Sequence, residues 1–371
     1  MHRGRAGRPG DGADTGFWQG GALASNLQNN TLFRYDRGVG TGLAKSGKEL
    51  MVEIGKIRAE IHFDSGTLER LFAEPEKAVA DAEAFWETEE PMRYAKRWHE
   101  AVGVPIDLDR FRTIAAEIAA LPANERATHP ALLMTRRAMA EERRFLALGL
   151  PHLCSLLPDN PATLDIKILF AGGLRANVFA CVQVVVNATS PFWHVAELSI
   201  DERASWALNL LVHECWHGGY CESQSQWTET PLEDEAFSRL LVNIQNEGIA
   251  TYVNYTARSF FPAKSDQDFA MLDDPAAVAR KLEAMNAILA RRHDLDDAAM
   301  RDLAWNEGVL GRAFYIGGAH MARVLDERAG RRALTDTIAT GPMSFVTAYN
   351  AVADEALRVP LARGVMASGR R

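Results

Sequence analysis

Trp206-Ala207-Leu208-Asn209-Leu210-Leu211-Val212-His213-Glu214-Cys215-Trp216-His217-Gly218-Gly219 is the stretch on which the reading of this chain turns. Trp206, Leu210, His213 and His217 recur at spacings of three and four, one stripe of a helix predicted over 200–218, with Gly218-Gly219 as its expected stop. On such a helix positions i and i+4 lie about 40° apart, so His213 and His217 project from one face and can share a metal ion. Glu214 stands about 100° round from His213, within reach of a water on that ion without being a ligand. This is the H-E-x-x-H arrangement, and the divalent ion it suits is zinc.

A catalytic zinc takes three protein ligands and keeps one position for water. A histidine at 223 would complete one known extension of the motif, but the residue there is Ser223. The next helical pattern, 233–258, carries Phe237, Leu240, Leu241 and Ile244, and its stripe continues into Glu247 and Gly248. A carboxylate on a core-facing stripe is costly unless it is paired or bound to a cation. Glu247 is therefore the preferred third ligand, and Gly248 leaves room for a neighbouring helix to approach. Glu307 is the rival, since Asn306-Glu307-Gly308 repeats Asn246-Glu247-Gly248. Glu222, Glu229, Glu233 and Glu235 lie in or near a polar stretch and are expected in solvent. A closed site using Cys215 and Cys221 would need the helix to break, because Cys215 points about 200° away from His213.

Outward from this centre the chain is mainly helical. Ile57, Ala59, Ile61 and Phe63 alternate as one strand, followed by an N-cap at Asp64 or Ser65. Helices interrupted at Pro91, Gly103-Val104-Pro105, Pro122 and Pro130 fill residues 76–150, and residues 165–170 and 178–186 read as strands. Further helices are predicted over 275–292, 296–328, 331–339 and 343–356. The fold class is thus α+β and mainly α. A leader spans residues 1–50, with eleven glycines in the first 47; it is expected to be flexible, with a later translation start possible at Met51. An N-terminal helical region with strands leading to the cleft covers 51–195, and a helical metal-binding and C-terminal region covers 196–371.

Composition narrows the function. With 41 basic against 49 acidic residues the net charge is −8, which disfavours a nucleic-acid backbone as partner. No apolar run approaches the length of a bilayer span. Four cysteines in 371 residues do not make a disulfide framework and suit a reducing cytoplasm.

His213-Glu214-Cys215-Trp216-His217 followed by Glu247-Gly248-Ile249-Ala250-Thr251-Tyr252 resembles the gluzincin pattern, H-E-x-x-H and then E-G-x-A-x-Y. The chain is most similar to bacterial zinc-dependent peptidase families of otherwise unknown function. Tyr315-Ile316-Gly317-Gly318-Ala319-His320-Met321-Ala322-Arg323, Gly341-Pro342 and Ser344-Phe345 through Tyr349-Asn350 resemble later parts of the same families, as does the opening strand, so that the likeness spans about 56–356. It implies a zincin-like fold with a small sheet, whose strand around Val182–Val186 would be the edge that pairs with a peptide. It also implies hydrolysis of a peptide or protein substrate, with zinc on His213, His217 and Glu247 and with Glu214 as general base. In the aminopeptidase relatives a tyrosine on the later helix stabilises the oxyanion. Tyr315 is the matching position, and His320 is the substitute on the same helix. One departure stands out: thermolysin-like relatives place an Asp four residues after the ligand Glu to orient a zinc histidine, and Thr251 holds that place here. The alternatives on the same motif are hydrolysis of another amide or an ester, or a catalytically inactive binding protein.

Overall fold

Five strands form one mixed sheet in the order β1-β2-β3-β5-β4: β1 Met51–Ile54, β2 Ile57–Asp64, β3 Thr163–Ala171, β4 Val178–Ala180 and β5 Gln183–Asn187. The computed structural model describes residues 51–54, 57–102, 106–159, 163–174, 178–180, 183–195, 197–224, 227–229 and 234–360. The leader over 1–50, the break at Gly103-Val104-Pro105 and Glu233 lie outside the described residues.

β2, β3 and β5 run parallel, while β1 and β4 close the two sides antiparallel. β2 alternates as its sequence predicts, with Ile57, Ala59 and Ile61 buried and Arg58 exposed. β3 lies inside the sheet, and its Ile168, Leu169, Phe170 and Ala171 are all buried, because both faces are covered at that end. The run 178–186 is two strands rather than one: Ala180 pairs with Val184 and Val178 with Val186. The expected edge around Val182–Val186 is corrected accordingly. β5 sits between β3 and β4, and the sheet ends at β4. β-Branched content signals a strand but not its neighbour, which packing selects.

The helices that build the site follow. They are α1 (Ile200–Gln224), α2 (Glu235–Ala257), α3 (Pro275–Ala290), α4 (Ala313–Ala329), α5 (Arg331–Thr340) and α6 (Pro342–Val352). α1 is buried almost all round, from Ala207 through His217, as a helix in the centre of a core must be. It packs on β3, β4 and β5, on the helix at Pro130–Ala140, and on α2. Gly218-Gly219 does not stop it. A Cβ on Gly219 would stand 2.3 Å from Leu157 Cδ1, so this glycine serves packing, and the helix runs on to Gln224. Tertiary contacts here outweigh a modest helix propensity.

α2 starts where Asp234 accepts a hydrogen bond from the Phe237 N–H at 2.9 Å. The single helix expected over 296–328 is broken into Asp297–Leu303, a π-helical segment Ala304–Leu310, and α4. Between the last two, Arg312 takes φ +62, and it is the one non-glycine residue with positive φ among the described residues. α2 and α4 cross at Gly248 and Gly318, and α3 closes over Gly317 through Met285. Buried side chains from Ile57 to Val359 join one contiguous core.

Candidate metal centre

The rings of His213 and His217 lie one turn apart on α1 with centroids 4.7 Å apart. α2 delivers Glu247 to the same point. Its Oε2 is 3.6 Å from Nε2 of His213 and 3.6 Å from Nε2 of His217. The donor atoms of the three residues all lie within 4.8 Å of one another, and all three residues are buried. Donors about 2.1 Å from a tetrahedral ion stand roughly 3.4 Å apart, so both 3.6 Å separations are close to what such an ion needs. They are also longer than ordinary hydrogen bonds. Two imidazole nitrogens and one buried acid fit a divalent cation such as zinc.

Burial works against the charge on Glu247, yet the imidazoles of His217 and His213 outweigh it and hold the acid down at about 2. Burial alone dominates at His217 and pushes it down to about 4. It also opposes protonation of His213, but the acids Glu247 and Glu214 prevail and raise that imidazole above its ordinary value. Burial lifts Glu214 to about 7, against His213, with Glu247 adding to the rise. The proton drawn to His213 takes, electrostatically, the place a cation would take.

One imidazole is oriented by a neighbour of the third ligand. His217 Nδ1 lies 2.9 Å from Asn246 Oδ1, so Nδ1 carries the proton and Nε2 keeps its lone pair toward Glu247. His213 Nδ1 and Thr251 Oγ1 are both buried without a hydrogen-bond partner among the described residues.

Residues 138–356 match the family described as "Putative zinc dependent peptidase (DUF5700)", over more than half of the chain. The chain belongs to this family. The match takes in every residue of the metal centre and α4, and leaves β1, β2 and the first helices outside. No curated protein and no solved structure matches the chain. The family is described as zinc dependent, and the His-His-Glu cluster is a set of donors that a metal ion could use.

In this member of the family, the other residues singled out from the sequence are placed as follows. Tyr315 is buried in the first turn of α4, its ring parallel to that of His213 (6° between planes) at 6.3 Å. Burial and the nearby Glu247 carboxylate push its phenol well above the ordinary value. His320 is not among the converging donors. It lies five residues further round the helix, against Tyr349 at 6.3 Å, with Arg323 Nη2 3.3 Å from its Nδ1. Glu307 is exposed on the π-helical segment and takes no part in the cluster, so Glu247 is the acid that meets the histidines.

Glu229 corrects another expectation. It is half-buried, accepting the N–H groups of Met343 (3.2 Å) and Ser344 (3.1 Å) at the start of α6. Cys215 is fully buried on the unbroken α1 and is not among the convergent donors. Trp193 is a core residue whose indole donates to the Asn187 carbonyl, and Trp227 donates to Ile338 across a loop. Asn246 was missed as an orienting residue, although it sits beside the expected ligand in Asn246-Glu247-Gly248. An amide next to a buried ligand on a helix is the one signal that could have raised it.

Proposed function

We propose that the chain hydrolyses peptide bonds with a zinc ion held by His213, His217 and Glu247. The observation that carries this reading is the approach of one buried carboxylate oxygen to both Nε2 atoms, with the non-ligating Glu214 beside them. Zinc bound there lowers the pKa of water toward about 7 and polarises a carbonyl, the chemistry that amide hydrolysis needs. Glu214 takes the proton of the attacking water and passes it to the departing amine. Burial raises this acid above its ordinary value, the direction that favours taking up a proton. Tyr315 donates its phenolic hydrogen to the oxygen that becomes negative as the carbonyl is attacked, which requires a phenol that stays protonated. Asn246 keeps His217 in the tautomer a ligand requires. His320 receives no step, because its neighbours are Tyr349 and Arg323.

The same reading makes the fold zincin-like. What supports it is an antiparallel edge strand, β4, packed over the helix that carries both histidines. A peptide in extended form would add to that edge. Among the described residues no helix is long and apolar enough to cross a membrane. The free thiols Cys154, Cys215 and Cys221 suit a reducing compartment, and we place the protein in the cytoplasm.

The test is elemental analysis of dialysed protein together with turnover of casein and of acyl esters. Stoichiometric zinc with peptide cleavage is expected. Glu214→Gln should keep the metal and lose turnover by about 10²–10⁴. Undiminished cleavage by that variant removes Glu214 as base, and a zinc protein that cleaves only esters moves the reading to an esterase.

A further inference from the structure

Arg312 sits at the most unusual backbone position of the described chain. Its φ of +62 is a left-handed conformation that glycine adopts far more readily, and Gly311 stands immediately before it. It forms the N-cap of α4 without a side-chain capping bond, directly after the π-helical segment. An outlier of this kind persists only where its surroundings hold it. The side chain, buried, does two things at once. Its edge makes a forked contact with Asp268, with Nε 2.9 Å from Oδ1 and Nη2 on Oδ2. Its guanidinium lies over the ring of Tyr315, with Cζ 3.2 Å from the ring centroid.

We infer that Arg312 is a positioning residue: the Asp268 fork fixes the guanidinium plane, and that plane fixes the Tyr315 ring so that its phenol faces Glu247 and the metal centre. The left-handed turn is what folds the side chain back over a ring only three residues ahead. Tyr315 needs such a clamp because it lies in the first turn of α4, where the helix's own hydrogen bonds hold the backbone least. Arginine suits this position for a physical reason. A lysine ammonium can offer charge, but it has no plane to press against a ring and no fork to be locked by an acid. The role given to the phenol rests on the peptidase reading; the clamp itself does not.

The experiment labels the full chain with 3-fluorotyrosine and loads it with zinc. Seven tyrosines give seven fluorine resonances, and Tyr315→Phe identifies the one that matters. Arg312→Lys should shift and broaden the Tyr315 line while the other six stay. Arg312→Gly, which suits the backbone but removes the clamp, should do the same. If Arg312→Lys does not fold, Asp268→Asn weakens the fork and should give a smaller displacement of the same line. An unmoved Tyr315 line in a folded Arg312 variant overturns the inference. Casein turnover supplies the second reading. Arg312→Lys should lower kcat at least tenfold with KM and zinc content unchanged, and this loss should disappear in a Tyr315→Phe background. A full loss that persists in that background means that Arg312 acts by some other route, and overturns the inference. A displaced Tyr315 line in a protein that cleaves no peptide at all upholds the clamp while removing the proposed function.

Discussion

Gly248 and Gly318 meet backbone to backbone where α2 crosses α4: a Cβ built on Gly248 would lie 2.4 Å from Gly318 Cα and 2.5 Å from its carbonyl carbon. The reciprocal Cβ on Gly318 would meet the Ile244 carbonyl oxygen at 2.3 Å. Neither neighbour is a side chain that could swing aside. The crossing sets the spacing between the helix bearing Glu247 and the helix bearing Tyr315. Gly248→Ala should therefore destabilise the protein by about 1–3 kcal/mol or more and weaken zinc retention together. Thermal unfolding and a zinc titration check this, and an alanine variant that melts like the parent would contradict so close a crossing.

Metal retention separates the two acids of the repeated tripeptide. Glu247→Ala should release zinc to a mild chelator, while Glu307→Ala should leave content unchanged, since Glu307 is exposed. Affinity should also fall as the pH drops. The neighbouring acids raise His213 above its ordinary value, so it tends to hold a proton that zinc must displace. Metal content of both variants across pH 5–8 decides the matter.

Asn246→Ala leaves all three donors in place and removes the acceptor for His217 Nδ1. Loss of such an orienting partner typically costs about 10–100-fold in metal affinity. Competition with a chromophoric chelator measures it, and an unchanged affinity would show that packing alone orients the ring.

Tyr315→Phe should keep zinc and lower kcat by about 10²–10³, as removal of one oxyanion donor does elsewhere. Equal loss of metal and rate would assign the hydroxyl to packing instead.

Tyr252, which closes the E-G-x-A-x-Y run, is engaged by Asp326. Its hydroxyl donates to Asp326 Oδ2 at 2.7 Å, and Arg331 grips the same carboxylate from the next helix. Tyr252→Phe should cost about 1 kcal/mol of stability with no change in zinc. Burial would raise the Asp326 acid, but Arg331 and Tyr252 prevail and hold it below its ordinary value. A depressed pKa stabilises the fold above the unfolded value of about 3.9, and that contribution disappears as pH falls through the folded one. Melting curves of Asp326→Asn between pH 2 and 6 should show a shallower acid slope than the parent.

Much of the centre was legible in the chain before any fold was considered. The i, i+4 spacing of His213 and His217 and the offset of Glu214 follow from covalent helix geometry, and a stripe ending in an acid marked Glu247. The predicted room at Gly248 corresponds to the crossing with Gly318. Other features depended on neighbours distant in sequence. Gly218-Gly219 reads as a helix stop, yet Leu157 fills the space above Gly219 and α1 continues. The 178–186 run reads as one strand and is two, because strand propensity carries no pairing information. The core-facing stripe already favours the first of the two Asn-Glu-Gly tripeptides, and the packing of α2 against α1 brings its acid to the histidines while Glu307 stays exposed. Nor does anything in Gly311-Arg312 announce a left-handed arginine over a tyrosine ring. Residues on one helix hold their relative places through backbone geometry, whereas atoms from separate helices meet only where packing has already fixed the distance between them.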